Sequence, residues 1–233
     1  MLYLIGLGLD VKGISKYGLE IVKRCKRIYL ENYTVEFPYS EGELKEILGK
    51  KIIPADREKV ESLEIVDEAR RMDIALLIYG SPLTATTHIS LIQEARRLGI
   101  KYKLIYNASI LDAVAETGLQ IYKFGKITSI PNFEADSFME VVKKNQSIDA
   151  HSLILADIGL EFEKVLEKLE KASGKYRIKF KKIIVCSKLG TKDSKVIYKE
   201  IEELKEYKSI KSPFCIIIPS KLHFLEKEIL ENV

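Results

Sequence analysis

Six successive residues, Ile74-Ala75-Leu76-Leu77-Ile78-Tyr79, carry no charge, and Gly80-Ser81-Pro82 ends the run. So short and apolar a run fits a strand covered on both faces, as in a parallel sheet. On either side, apolar runs of strand length alternate with stretches whose apolar residues recur every three or four positions. In the first half the pattern predicts strands at 2–5, 27–31, 51–54 and 102–106. Helices are expected at 15–24, 41–48, 56–72, 90–98 and 109–117. Ser40 with Glu43 spells a capping box, Asp56 and Ser109 suit helix starts, and Gly49, Gly99 and Gly118 suit helix ends. In the second half strands are expected at 126–131, 151–158, 180–187 and 214–218. Helices there are expected at 135–145, 160–172, 193–207 and after 223.

Strand-helix alternation with short connections implies an α/β protein with right-handed crossovers. The reading is two α/β domains, 1–110 and 111–233, with mainly parallel or mixed sheets. Small or polar loops follow the strands at 6–9, 80–88, 107–110, 157–159, 188–191 and 219–223. If the strands run parallel within each half, those loops gather at one end and line a cleft between the domains.

Composition narrows the class. The 233 residues are 46% hydrophobic and 31% charged, as in soluble globular proteins. A net charge of +4 does not imply an obligate nucleic-acid binder. Cys25, Cys186 and Cys215 form no CxxC pair and read as small core residues in a reducing cytosol. The apolar start MLYLIGLGLD lacks a basic lead and is too short to span a bilayer, so it reads as a buried first strand.

Several chemistries are disfavoured. Gly6-Leu7-Gly8 opens like a dinucleotide fingerprint, but the third glycine position holds Val11. No P-loop is present. His88, His151 and His223 lie far apart without ligand-type helical partners. A triad of Ser109, His151 and Asp157 lacks the nucleophile-elbow context. Lys175 to Lys182 (KYRIKFKK) could touch RNA or an acidic surface, but a solvated strand edge is the stronger reading.

Five motifs in order carry a resemblance. They are LYLIGLGL at the start; GSPLTATTH at 80–88; Ser109-Ile110 with Ala113, TGL at 117–119 and IYKFG at 121–125; HSL…DI at 151–158; and PSKLH at 219–223. Together they resemble the diphthine synthases, a branch of the tetrapyrrole-methylase-like superfamily. The resemblance implies a cytoplasmic, two-domain α/β homodimer that binds S-adenosylmethionine in its interdomain cleft. It implies methyl transfer to the amino group of the modified histidine of translation elongation factor 2 in diphthamide biosynthesis, with no membrane and no nucleic acid. By motif, the cofactor contacts it implies are Leu9, Ser81, Thr84, Ser109, Ile110, Ala156, Leu189 and His223. The family usually has aspartate where this chain has Ser81, and the segment between Ile158 and Phe180 is shorter than the family's. A corrin or other tetrapyrrole methylase and a non-catalytic binding protein of the same fold stand as alternatives. No catalytic side chain is named: methyl transfer from a sulfonium to a nucleophile needs mainly alignment and exclusion of water.

Overall fold

The computed structural model describes residues 1–207 and 209–232. The chain forms two compact units, Met1–Leu111 and Asp112–Val233.

The first unit runs β1 (Leu2–Gly6), α1 (Lys16–Arg24), β2 (Arg27–Glu31), α2 (Glu41–Leu48), β3 (Ile53–Ala55), α3 (Arg57–Glu61), α4 (Glu64–Glu68), β4 (Ile74–Ile78), α5 (Ile89–Arg97) and β5 (Tyr102–Ile105). Its five strands lie in the order β3-β2-β4-β1-β5, and every pairing is parallel. The uncharged run is the middle strand, buried at all five positions. Its residues alternate between two cores. Ile74, Leu76 and Ile78 pack with Val60, Ile65, Val66, Leu91 and Ala95 from α3 to α5. Ala75 and Leu77 pack with Ile21, Val22, Leu44 and Leu48 from α1 and α2. Each fully buried leucine or isoleucine contributes roughly 1.5–3 kcal/mol, so this strand anchors both layers.

Capping follows the sequence. Ser15 accepts from the Gly18 N–H, and Ser40 and Glu43 form the reciprocal box. The helix expected over 56–72 is instead two, α3 and α4, separated at Leu63, whose φ is 64°. On one straight helix Val60 and Ile65 would point about 140° apart. The break lets both reach the same core.

The chain enters the second unit through α6 (Ile110–Ala113) and a 3₁₀ turn, Val114–Thr117, closed by left-handed Gly118. Then come β6 (Thr128–Ile130), α7 (Ser137–Gln146), β7 (Ser152–Ala156), α8 (Phe162–Tyr176), β8 (Ile183–Ser187), β9 (Lys195–Lys199), α9 (Ile201–Leu204), β10 (Phe214–Ile218) and α10 (Phe224–Glu231). The sheet order is β6-β7-β10-β8-β9. β6 and β7 are parallel, while β10 is antiparallel to β7 and β8, and β9 is antiparallel to β8. Phe138, Met139 and Val142 of α7 and Val165, Leu166 and Leu169 of α8 cover one face.

Two expectations are corrected here. The helix predicted over 193–207 is an edge strand, β9, followed by one helical turn. Val196, Ile197 and Tyr198 are β-branched or aromatic and pair with β8. The basic run 175–182 is no strand edge: it finishes α8 and leads into β8, which is interior and fully buried. Lys175 pairs with Asp136, and Lys182 sits over the Tyr198 ring.

Candidate functional site

Parallel strands put every strand-end loop of the first unit at one end of its sheet. Leu9, Ser81, Thr84, Ser109 and Ile110 therefore share that end. The backbone brings the loops together. The Gly8 N–H donates to the Gly80 carbonyl at 3.1 Å, and the Gly80 N–H donates back to Gly8 at 2.9 Å. A Cβ on Gly6 would stand 2.5 Å from the Gly80 oxygen and 3.1 Å from Pro82 Cδ, so only glycine permits this approach. Asn107 Nδ2 donates to the carbonyls of Gly6 and Gly13 at 3.0 and 2.9 Å and ties in the third loop. The Tyr79 hydroxyl donates to the Leu9 carbonyl at 3.2 Å.

Within loop 80–88, Ser81 and Ser109 are almost buried and Thr84 is half-buried. The Thr84 N–H donates to the Ser81 carbonyl, making a tight turn. His88 is an anchor inside the protein. Its Nδ1 lies 3.3 Å from the Pro82 carbonyl, which can only accept, so Nδ1 carries the proton. Nε2 is then the acceptor for the Tyr33 hydroxyl at 3.4 Å. Burial holds the His88 imidazole below its ordinary pKa, against the opposing pull of Glu31.

The sequence reading does not single out loop 32–39, yet it follows β2 and so lies at this same end. Buried Glu31 accepts from the N–H groups of Tyr33 and Thr34 and from the Thr34 hydroxyl, each at 2.8 Å. Phe37, Tyr39 and Tyr79 pack with ring centroids 5.4–6.4 Å apart. Burial pushes both the Tyr39 and Tyr79 phenols up. The signal that could have found this loop was its position after a strand in a parallel pattern.

The second unit divides its candidates. β7 and β8 point the same way, so Ala156 and Leu189 lie at one end of the sheet. β10 runs the other way, and His223 follows it at the opposite end. A five-residue strand rises roughly 17 Å, so the structure does not bring His223 together with the other two. The gathering of all three loops at one end, expected if the strands were parallel, fails for this reason. His223 instead caps α10, its Nδ1 facing the Leu225 N–H at 3.4 Å.

Leu189 is held by Glu116, whose carboxylate accepts from the Gly190 N–H at 3.0 Å and the Ser194 hydroxyl at 2.9 Å. His151 and Asp157 flank opposite ends of β7, which removes the triad reading. His151 is committed on both sides of its ring. Nδ1 accepts from the Ser220 N–H at 2.9 Å, and Nε2 donates to Glu226 at 3.3 Å. Among the described residues no group of His, Cys, Asp or Glu could hold a metal ion, and no helix is long and apolar enough to cross a membrane.

Comparison with known proteins gives consistent matches. The family model for tetrapyrrole (corrin/porphyrin) methylases matches residues 1–205. The diphthine methyl ester synthase of Homo sapiens is 47% identical over 178 residues, 73% of this chain and 62% of that protein. The Schizosaccharomyces pombe protein of the same name is 47% identical over 165 residues, 68% of this chain and 58% of its own length. The matched part thus spans about three-fifths of these relatives. An Arabidopsis thaliana protein named "Probable diphthine methyl ester synthase" is 34% identical over 99% of this chain and 97% of its own. A crystal structure of diphthine synthase superposes with a TM-score of 0.92 at 33% identity, covering 99% of this chain and 94% of that one.

Proposed function

Because this chain belongs to the tetrapyrrole methylase family, we propose that it is an S-adenosylmethionine-dependent methyltransferase of the diphthine synthase kind. Its substrate in this reading is the modified histidine of translation elongation factor 2, and the protein works as a cytoplasmic homodimer. The observation that carries the reading is the glycine-lined junction of three loops at the end of the first unit's sheet. Supporting it are relatives whose names all specify diphthine chemistry.

The residues present fit the cofactor. Glycine at Gly6 and Gly8 lets the three loops pack directly on one another, a Cβ there meeting the Gly80 carbonyl or the Asn107 side chain, so the proposed contacts are held close together. Leu9, Ser81, Thr84, Ser109 and Ile110 are the proposed contacts from the first unit, and Ala156 and Leu189 from the second. His223 is also a proposed contact by motif, its loop leaving the opposite end of the second sheet from Ala156 and Leu189. S-adenosylmethionine supplies an electrophilic methyl group on a sulfonium. Leu9 and Ile110 offer apolar surface, and the hydroxyls of Ser81, Thr84 and Ser109 offer directional hydrogen bonds. Ser81 keeps an acceptor where the family has a carboxylate but gives up its charge. Pinning by His88, Asn107 and Tyr79 holds these loops in one arrangement before ligand arrives, which lowers the ordering cost of binding.

Calorimetric titration with S-adenosylhomocysteine tests the site. Saturable binding in the micromolar range, about −8 kcal/mol, supports it. No binding at millimolar ligand sinks it and moves the non-catalytic alternative forward.

A further inference from the structure

The second unit contains a hollow of about 360 Å³ lined by Ser187, Lys188, Lys192, Asp193, Ser194, Lys195, Ser209 and Lys211. It lies beyond the end of β8, the end that also carries Leu189. Two separate segments build it: the loop into β9, and residues 209–211 before β10. The Glu116 bonds to Gly190 and Ser194 brace the first segment. The Ser187 hydroxyl, donating to the Lys211 carbonyl at 2.8 Å, braces the second.

Four lysines thus face one solvent-filled space beside a single aspartate. Elsewhere in this unit Lys144, Lys164, Lys171, Lys175, Lys199, Lys205 and Lys227 each have a carboxylate partner, while other described lysines, Lys143 and Lys181 among them, show none. Among the described residues Lys188, Lys192, Lys195 and Lys211 have none. Four like charges against one carboxylate leave a net repulsion, which is relieved when an anion enters. The lining also says which kind of anion. It has no aromatic ring on which a base could stack. Asp193 opposes any anion, so the four ammonium groups must outweigh it, and spaced ammonium groups with serine hydroxyls match carboxylates distributed along a flexible segment. Lys192, Lys195 and Lys211 are exposed and Lys188 is half-buried, so a single small ion would be largely screened, while several carboxylates on one chain bind together.

We propose that this lysine-lined hollow docks an acidic segment of the protein that receives the methyl group. The proposal rests on the methyltransferase reading for that protein's identity, while the site itself is read from this unit alone. Docking here steers the substrate toward the end of the sheet that carries Leu189 and raises its association rate.

The test uses the full chain and a Lys192→Ala/Lys211→Ala double variant, two exposed positions whose loss leaves the fold intact. A short poly-glutamate peptide is titrated into each at low salt. Saturable binding to the unaltered protein is expected, weakened about tenfold or more in the variant and by added salt. With elongation factor 2 as substrate, KM rises about tenfold while kcat and S-adenosylhomocysteine affinity stay put. Equal peptide binding by both proteins, or none by either, overturns the proposal. So does a single-stranded oligonucleotide that displaces the peptide at lower concentration. If the peptide binds as expected but no methyl transfer occurs, the acidic-segment site stands and the methyltransferase reading falls.

Discussion

Glu226 Oε1 and His151 Nε2 meet 3.3 Å apart inside the second unit, with neither side chain exposed. The same carboxylate accepts from the N–H groups of Gln120 and His223 at 3.0 and 2.6 Å and from Lys123 Nζ at 2.5 Å. Lys123 also donates to the Lys221 carbonyl at 2.8 Å. One ion therefore joins the IYKFG run, the start of β7 and the PSKLH segment. Three of the five motifs thus meet for a structural reason. Replacing Glu226 by alanine leaves His151 and two N–H groups without their acceptor and the Lys123 ammonium without its counter-charge. The expected loss is roughly 3–5 kcal/mol, read from urea unfolding midpoints. A loss within experimental error of zero would show that the ion is dispensable.

Stability should depend on pH in two steps. Burial holds His88 and His151 below the ordinary value of 6.5. Their folded forms refuse protons that the unfolded chain accepts, so their contribution is full above 6.5 and drains as pH falls through the lowered folded values. For Glu226, burial pushes the carboxyl up. Lys123, the two N–H groups and His151 outweigh it and hold it at about 2, against an ordinary 4.5. That contribution is present above 4.5 and is lost toward pH 2. Urea midpoints measured from pH 8 down to about pH 3 should fall in both windows. A flat profile between pH 7 and about pH 5 would contradict the buried neutral histidines.

Gly6→Ala tests the loop junction. The added Cβ meets backbone rather than a flexible side chain, so β1 and loop 80–88 must part. Destabilisation of about 1–3 kcal/mol is expected, with weaker S-adenosylhomocysteine binding. Gly49→Ala is the control: its Cβ would meet nothing within 4 Å, although its φ of 60° carries some strain of its own. Loss of binding in the control to the same degree would mean that global stability, not the junction, governs affinity.

Leu9→Arg should abolish S-adenosylhomocysteine binding by filling the turn after β1, while the fold persists by circular dichroism. Ser81→Asp, which restores the family's usual residue, should change affinity only modestly, by less than about tenfold. If neither substitution alters the calorimetric isotherm, the first-unit contacts are misplaced.

Much of the first unit was legible because its signals are local. An uncharged run bounded by Gly80 marks a doubly covered strand, and Ser40 with Glu43 marks a helix start. Where the sequence misled, a tertiary partner decided the outcome. Ile197, Ile201 and Leu204 fall at helical spacing, but pairing with β8 draws Val196 to Tyr198 into a strand. Glu226 sits in a charged segment, EKEILE, of the helix expected after 223, and only the fold shows it buried. Strand direction is invisible in one sequence, so the pattern alone does not show that loop 219–223 leaves the opposite end of the second sheet from Ala156 and Leu189. The lysines that gather are not the conspicuous run at 175–182 but four residues from two separate segments.

The central claim meets its most direct test in one reaction. Purified protein is incubated with S-adenosylmethionine and elongation factor 2 whose modified histidine has not been methylated, and the intact mass of the factor is followed. Stepwise gain of whole methyl increments, confined to the peptide bearing that histidine, is the result predicted here. An unchanged mass, under conditions where S-adenosylhomocysteine binds, would contradict the assignment, as would transfer to a corrinoid in place of the factor.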